Sequence, residues 1–282
     1  MAAVRFSKMH SLGNDFVVFD AVRQDINITA DCARYIADRR RGVGCDQILL
    51  VEKLPDDPTH TEPADFLFRI FNADGSEADQ CGNGARCLAR FIQREQLKNN
   101  DVIHIQTRQS RMKLELLDNG DVRVDMGPPV FEPQLIPFTT DNNDSTHHLD
   151  IDGQILEVGV LSMGNPHAVT LVEDVDRYDI DGVGQAIEKH PRFAKRTNAG
   201  FMQIVDRTQI RLRVFERGVG ETQACGSGAC AAVVNGRRRG LLDEDVRVCL
   251  PGGEVQVNWH GDGSSVFLMG DAIHVFDGKI GL

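Results

Sequence analysis

The sequence predicts an α+β protein built from two copies of one domain, and three observations carry that prediction. Glu77-Ala-Asp-Gln-Cys81-Gly-Asn-Gly-Ala85 has a twin in Glu221-Thr-Gln-Ala-Cys225-Gly-Ser-Gly-Ala229. Each motif follows an apolar run that ends in phenylalanine, Phe71 and Phe215, and every matched position is separated by 144 residues. A weaker echo, Gly13-Asn14-Asp-Phe-Val-Val18 with Gly164-Asn165-Pro-His167-Ala-Val169, is spaced by 151 residues, and the same spacing sets Gln47 opposite Asn198. Around these motifs, short alternating segments of strand character are interrupted by a few segments of helical period. The expectation is two domains, each offering a cysteine at a helix start, with the two cysteines facing each other across one small-molecule site.

The elements follow in order. Val4–Met9 and Phe16–Phe19 read as strands around a turn at Gly13-Asn14. Thr29 caps a helix running to about Arg40, with Ala33, Ile36 and Ala37 on its apolar side and Gly42-Val-Gly44 ending it. Gln47 opens a strand over Ile48–Val51, and Pro55–Pro63 is a polar loop. Ala64–Phe71 is a strand with Phe66, Phe68 and Ile70 on one face. After Cys81, Ala85, Leu88, Ala89 and Ile92 recur at helical spacing, with Arg86, Arg90 and Gln93 on the opposite side. Val102–Asp125 alternates as hairpins, with Asp118-Asn-Gly120 as a turn.

Between Gly127 and Ser145 four prolines and an Asp-Asn-Asn-Asp run mark a linker between the copies. The second copy then repeats the order, with strands at Gln154–Leu161 and Ala168–Val172 and a helix near Val183–Lys189. Strands at Phe201–Val205 and Gln209–Phe215 lead to a second cysteine helix. That helix, Ala229–Val234, is small and apolar all round and is therefore expected to be deeply packed. Short strands from Val246 to Phe276 complete the chain.

Composition excludes several classes. A net charge of −11 leaves no general basic surface for a nucleic acid. Arg39-Arg40-Arg41 and Arg237-Arg238-Arg239 fall where helices end and are read as partners of the negative helix terminus. No apolar run approaches membrane-spanning length. The first residues lack the basic-then-apolar plan of a signal peptide, so a cytoplasmic protein is expected. Seven cysteines, an odd number without Cys-x-x-Cys spacing, argue against a disulfide scaffold or a structural zinc site. Cys32, Cys87, Cys230 and Cys249 are read as small core residues, and Cys45 as outside the chemistry.

Cys81 and Cys225 are different. A thiol ionises near about 8.5, and a helix N-terminus beside it favours the thiolate. Gly-Asn-Gly and Gly-Ser-Gly leave backbone N–H groups open to a carboxylate. Those donors also stabilise charge that moves onto the carboxylate when the neighbouring carbon loses a proton. Thiolate on one face and thiol on the other would invert a stereocentre without an electron-sink cofactor, and the two thiols would titrate as a pair. Two other readings stay open on the residues alone. One is another cofactor-independent racemase or isomerase, of proline, hydroxyproline or phenazine type. The other is a redox module in which Cys81 and Cys225 form a switchable disulfide.

Taken together, Ser11-Leu-Gly-Asn-Asp-Phe16, Phe71-Asn-Ala-Asp-Gly-Ser-Glu77, Cys81-Gly-Asn-Gly-Ala-Arg86, Gly164-Asn-Pro-His167, Glu216-Arg-Gly218 and Ala224-Cys-Gly-Ser-Gly-Ala229 resemble the diaminopimelate epimerase family across almost the whole chain. The resemblance implies two pseudo-symmetric α+β domains, each a curled sheet or barrel around a central helix, with the site in the cleft between them. It implies domains at 1–126 with 271–282, and at 127–270, because the last strand returns to the first domain. It implies interconversion of LL- and meso-2,6-diaminopimelate without pyridoxal phosphate, with no metal or other cofactor, on the route to lysine and a peptidoglycan precursor.

By position, the resemblance makes Cys81 and Cys225 the acid/base pair, assisted by His167 and Glu216. Gly82, Asn83, Gly226 and Ser227 would bind the carboxylate at the reacting carbon. Asn14, Gln47, Asn72, Asn165, Asn198, Glu216 and Arg217 would line the substrate pocket, with Arg217 on the distant carboxylate. Glu77 and Glu221 are set aside as helix-entry residues. A homodimer is implied, although Phe276 stands where a tyrosine is usual. Ser227 stands in place of a common threonine, and Gly270-Asp-Ala272 in place of a frequent Gly-Pro-Ala.

Overall fold

A computed structural model describes residues 3–54, 64–78, 81–108, 110–142 and 144–282. The Pro55–Pro63 loop and Asp79-Gln80 of the first motif lie outside the described residues. In chain order the elements are β1 (Ala3–Ser11), β2 (Asn14–Asp20), α1 (Ala30–Ala37), β3 (Gln47–Glu52), β4 (Phe66–Asn72), β5 (Glu77–Ala78), α2 (Gly82–Arg94), β6 (Val102–Gln106), β7 (Arg111–Leu116) and β8 (Val122–Asp125). They continue with β9 (His147–Ile151), β10 (Gln154–Ser162), β11 (Pro166–Leu171), α3 (Ile180–Glu188), β12 (Asn198–Asp206), β13 (Gln209–Glu216), β14 (Gly220–Thr222) and α4 (Gly226–Arg238). The last four are β15 (Asp245–Leu250), β16 (Gly253–Trp259), β17 (Val266–Gly270) and β18 (Ile273–Gly281). The chain divides into two compact units, residues 1–125 with 270–282, and residues 126–269.

In the first unit β1 pairs antiparallel with β2, β2 runs parallel to β3 after the α1 crossover, and β3 pairs antiparallel with β4. Strand β4 then pairs with β5 and, across α2, runs parallel to β6, which leads into the β6–β7–β8 meander. The second unit repeats every step: β10–β11 antiparallel, β11–β12 parallel across α3, β12–β13 and β13–β14 antiparallel, β13–β15 parallel across α4, then β15–β16–β17. Only the flanking strand has a different origin. Strand β10 is flanked by β9, which precedes it, whereas β1 is flanked by β18, the last strand of the chain.

Helix α2 packs against β1, β2, β3, β7, β8 and β18, and α4 against β10, β11, β12, β13 and β16, so each lies inside its own curled sheet. Their sequences explain the position. Ala85, Cys87, Leu88, Ala89, Phe91 and Ile92 of α2 are buried, as is every residue from Gly228 to Gly236 of α4. Each large apolar side chain removed from water there contributes about 1.5–3 kcal/mol. The smaller helices cover the outside, α1 against β3 and β4, and α3 against β9, β12, β13 and β14.

Several sequence expectations need correction. The first helix ends at Ala37 rather than near Arg40, because the Asp38 carboxylate accepts the N–H groups of Arg40 and Arg41 and turns the chain. Arg39 accordingly serves no helix terminus but pairs with Asp15 and Asp46. The Gly127–Ser145 stretch is not a bare linker. Val130 bridges Ser162, Phe138 bridges Phe193, and Ile136 and Phe138 join the second unit's core. Cys32 and Cys249 are half-exposed rather than core, and the Cys249 thiol donates to Glu254. Arg86, expected on the solvent side of its helix, is fully buried.

Candidate active site

The pairing registers bring polar residues to one end of each sheet. In the first unit Asn14 opens β2, Gln47 opens β3 and Asn72 closes β4, with Gln47 directly opposite Asn72. Gln47 Nε2 donates to Asn72 Oδ1 at 2.8 Å, and Asn72 Nδ2 donates to Ser76 Oγ at 2.9 Å. In the second unit Asn165 precedes β11, Asn198 opens β12 opposite His167, and Glu216 closes β13. Asn198 is buried: its Nδ2 donates to Pro166 O at 3.1 Å and its Oδ1 accepts Arg217 N–H at 2.9 Å. The Arg217 side chain stays exposed and donates to Lys195 O.

Each cysteine is the N-cap of its central helix, in extended backbone conformation. Cys81 Sγ accepts the Gly84 N–H at 3.3 Å, and its thiol lies 4.0 Å from Asn14 Oδ1. Asn83 Nδ2 donates to the same Asn14 oxygen at 3.3 Å. Cys225 is buried, and its Sγ sits 3.6 Å from Ser227 Oγ. The third glycine-motif position must stay small. A Cβ on Gly84 would come 3.1 Å from Leu49 and 3.4 Å from Cys81 Sγ, and one on Gly228 would come 3.2 Å from Cys225 Sγ and 3.0 Å from Val214.

The second unit gathers titratable groups around its thiol. His167 Nε2 lies 3.0 Å from Asn165 Oδ1 and 3.1 Å from Ser227 Oγ. Burial, and then the charge of Arg217, pulls the His167 pKa down to about 3, so the ring is neutral at ordinary pH. Thr222 Oγ1 donates to Glu216 Oε1 at 2.6 Å, while burial pushes the Glu216 carboxyl up. Burial first, and the Glu216 carboxylate second, hold the Cys225 thiol well above the ordinary cysteine range. Cys45 is raised to about 12, first by burial, with Lys8, Asp15 and Asp46 as its charged neighbours.

The sequence reading therefore names residues that do cluster: Cys81, Asn83 and Asn14 in one unit, and Cys225, Ser227, His167 and Asn165 in the other. Gln47 and Asn72 form their own hydrogen-bonded pair. The reading missed Asp46, whose carboxylate accepts Asn14 Nδ2 at 2.9 Å, and Thr222, which holds Glu216. It also misplaced Arg86, whose i+3 spacing from Asn83 was the available signal, because that spacing sets both on one helix face.

The architecture is shared with proteins of known structure. A phenazine biosynthesis protein from Bacillus anthracis superposes with TM-score 0.70 at 16% identity, covering all of both chains. A hydroxyproline epimerase from Agrobacterium vitis superposes with TM-score 0.68 at 15% identity, covering 99% of this chain and 92% of the other. The three chains share one two-domain α+β fold. The sequence identifies the family. The diaminopimelate epimerase family model matches residues 6–132 and 159–275. A diaminopimelate epimerase from Thioalkalivibrio sulfidiphilus is 51% identical over 278 residues, spanning 98% of this chain and 99% of that one. The chain belongs to the diaminopimelate epimerase family.

Proposed function

We propose that the protein epimerises LL-2,6-diaminopimelate to meso-2,6-diaminopimelate without a cofactor, in the supply of lysine and a peptidoglycan precursor. The observation that carries this reading is the repeated helix start. Each unit caps a buried helix with a cysteine flanked by glycine, in a chain 51% identical to a curated diaminopimelate epimerase.

In the proposed step, one thiolate takes the α-proton. The S–H bond forms as C–H breaks, and the electron pair moves into the adjacent carboxylate. The other thiol then gives its proton to the opposite face of that carbon and is left as thiolate. The reverse reaction exchanges the two roles, which accounts for a duplicated helix start. Backbone N–H groups at Gly82, Asn83, Gly226 and Ser227 hold the carboxylate as it gains charge. Asn14, Gln47, Asn72, Asn165 and Asn198 orient the rest of the substrate. Arg217 takes the distant carboxylate, helped by its exposed guanidinium, and Glu216 takes an ammonium group. His167 and Glu216 assist proton transfer at Cys225, a role supported by the 3.1 Å approach of His167 to Ser227, itself beside that thiol.

The reaction run with LL-diaminopimelate in deuterium oxide tests this reading. Deuterium is expected at the inverted α-carbon with neither pyridoxal phosphate nor metal added. Inversion that required added pyridoxal phosphate, or that left the α-proton unexchanged, would overturn it. The domains are proposed at residues 1–126 with 271–282, and 127–270, one residue from the bounds of the compact units. The assembly is a cytoplasmic homodimer that uses Phe276, a proposal supported by the exposed Ile273, Val275 and Phe276 on β18. Sedimentation as a monomer at assay concentration would exclude the dimer, and activity that pelleted with cell membranes would exclude the location.

A further inference from the structure

Arg86 is fully buried inside the first unit, on the helix that Cys81 caps. Taking a guanidinium out of water costs several kcal/mol unless its donors are met. Here Nη2 donates to Ser11 Oγ at 2.7 Å and to Asn83 Oδ1 at 2.9 Å, and Nε to Ser11 Oγ and Asp271 O, each at 3.2 Å. A guanidinium can only donate, so it fixes which end of the Asn83 amide faces it. The Asn83 NH2 must then turn the other way, toward Asn14 Oδ1 at 3.3 Å. The Asn14 NH2 meets the Asp46 carboxylate at 2.9 Å, and an ionised carboxylate can only accept. A donor-only group at one end and an acceptor-only group at the other thus give the two amides a single direction. That direction sets a carbonyl oxygen, not an NH2 group, before the Cys81 thiol at 4.0 Å.

We propose that Arg86 is a positioning residue for Cys81: by anchoring Asn83 it sets the polarity of the Asn83–Asn14 amide pair that receives the Cys81 S–H. The proposal rests on the epimerase reading above. The device belongs to one half of the chain. At the position equivalent to Arg86, the second unit carries Cys230, and in place of Asn83 it carries Ser227, which meets His167 instead.

The test is a cycle of Arg86→Met, Asn83→Ala and the double variant, with kcat and KM measured in the full-length enzyme. Each single variant is expected to lose at least about tenfold in kcat with KM changed less than about threefold, and the double variant to be no worse than the poorer single. Additive losses, or an Arg86→Met enzyme with unchanged kcat, would overturn the proposal. Should Arg86→Met fail to fold, Asn83→Asp carries the same question. It keeps the acceptor for Arg86 and removes the NH2 that faces Asn14. It is expected to melt as the parent does and to lose about tenfold in kcat, and full kcat would overturn the proposal. The outcomes separate the two claims. A parent enzyme that does not exchange the α-proton sinks the epimerase reading, whereas an active parent with additive variants sinks only the role of Arg86.

Discussion

The two units share a skeleton and differ in what they place around the thiol. Helices α2 and α4 are each 13 residues long, and each is capped by its cysteine. Even the salt bridge on the hairpin leading to each helix is repeated, Arg69 with Glu77 and Arg213 with Glu221, each through two hydrogen bonds. Around that frame the chemistry diverges. Where the first unit has Phe16, Asn72, Asn83 and Arg86, the second has His167, Glu216, Ser227 and Cys230. The first thiol lies near fixed amides, and the second beside a carboxyl and a hydroxyl that an imidazole approaches. What the duplication keeps is therefore whatever aims a sulfur along a helix axis. What it releases is whatever governs the proton on that sulfur.

The largest expected effect tests whether both halves are used. Cys81→Ala and Cys225→Ala are each expected to lose at least about a thousandfold in inversion, because the proposed two-thiol mechanism loses a step with either group. Chiral chromatography of the product checks this, and a single Ala variant that kept its rate would reduce the comparison to one working half. A smaller effect is expected where the halves differ. Glu216→Gln makes the second half resemble the first, and a loss of about a hundredfold in kcat is expected for removing a group that assists proton transfer. The sign of its pH effect is also fixed. The Glu216 charge helps hold the Cys225 thiol up, so Glu216→Gln is expected to move Cys225 alkylation toward lower pH. An alkylation profile that stayed in place would separate Glu216 from that thiol.

The shared part of the comparison was legible in the sequence, and the divergent part only partly so. Fixed offsets and the glycine-flanked cysteines expose the duplication, because a helix start that must leave its N–H groups open tolerates few residues. Thr29 was readable as a cap, and its oxygen does accept the Cys32 N–H at 3.2 Å. The end of that helix was not readable, since it depends on Asp38 turning back onto Arg40 and Arg41. Arg86 was misassigned because helical period sorts charged residues outward by default, whereas it donates to Ser11 of β1, to Asn83 of its own helix and to Asp271 O. The Gly127–Ser145 segment was misread for a similar reason. Prolines announce a loop, but Ile136 and Phe138 are buried in the second unit's core.

The smallest expected effect concerns His167, which pairs with Asn198 in the register where Phe16 pairs with Gln47. Its Nδ1 is buried with no hydrogen-bond partner among the described residues, while Nε2 faces Asn165 Oδ1 and Ser227 Oγ. A bare lone pair costs less there than a bare N–H, so the ring carries its proton on Nε2 and stays neutral. Protonation is pushed down to about 3 in the fold, against 6.5 for an ordinary imidazole. Between those values the unfolded chain binds a proton that the folded chain does not. The residue therefore costs no stability above the upper value and destabilises the fold progressively as pH falls toward the lower one. Phe16 imposes no such dependence on the first unit. His167→Asn, which cannot titrate, is expected to lose less melting temperature than the parent between about pH 7.5 and about pH 4.5, by roughly 4–5 °C. Calorimetry of both proteins at the two pH values measures that difference directly, with every other acid-sensitive group common to both. Equal losses would mean that His167 takes up its proton without cost, and the buried, neutral imidazole would no longer distinguish the second unit from the first.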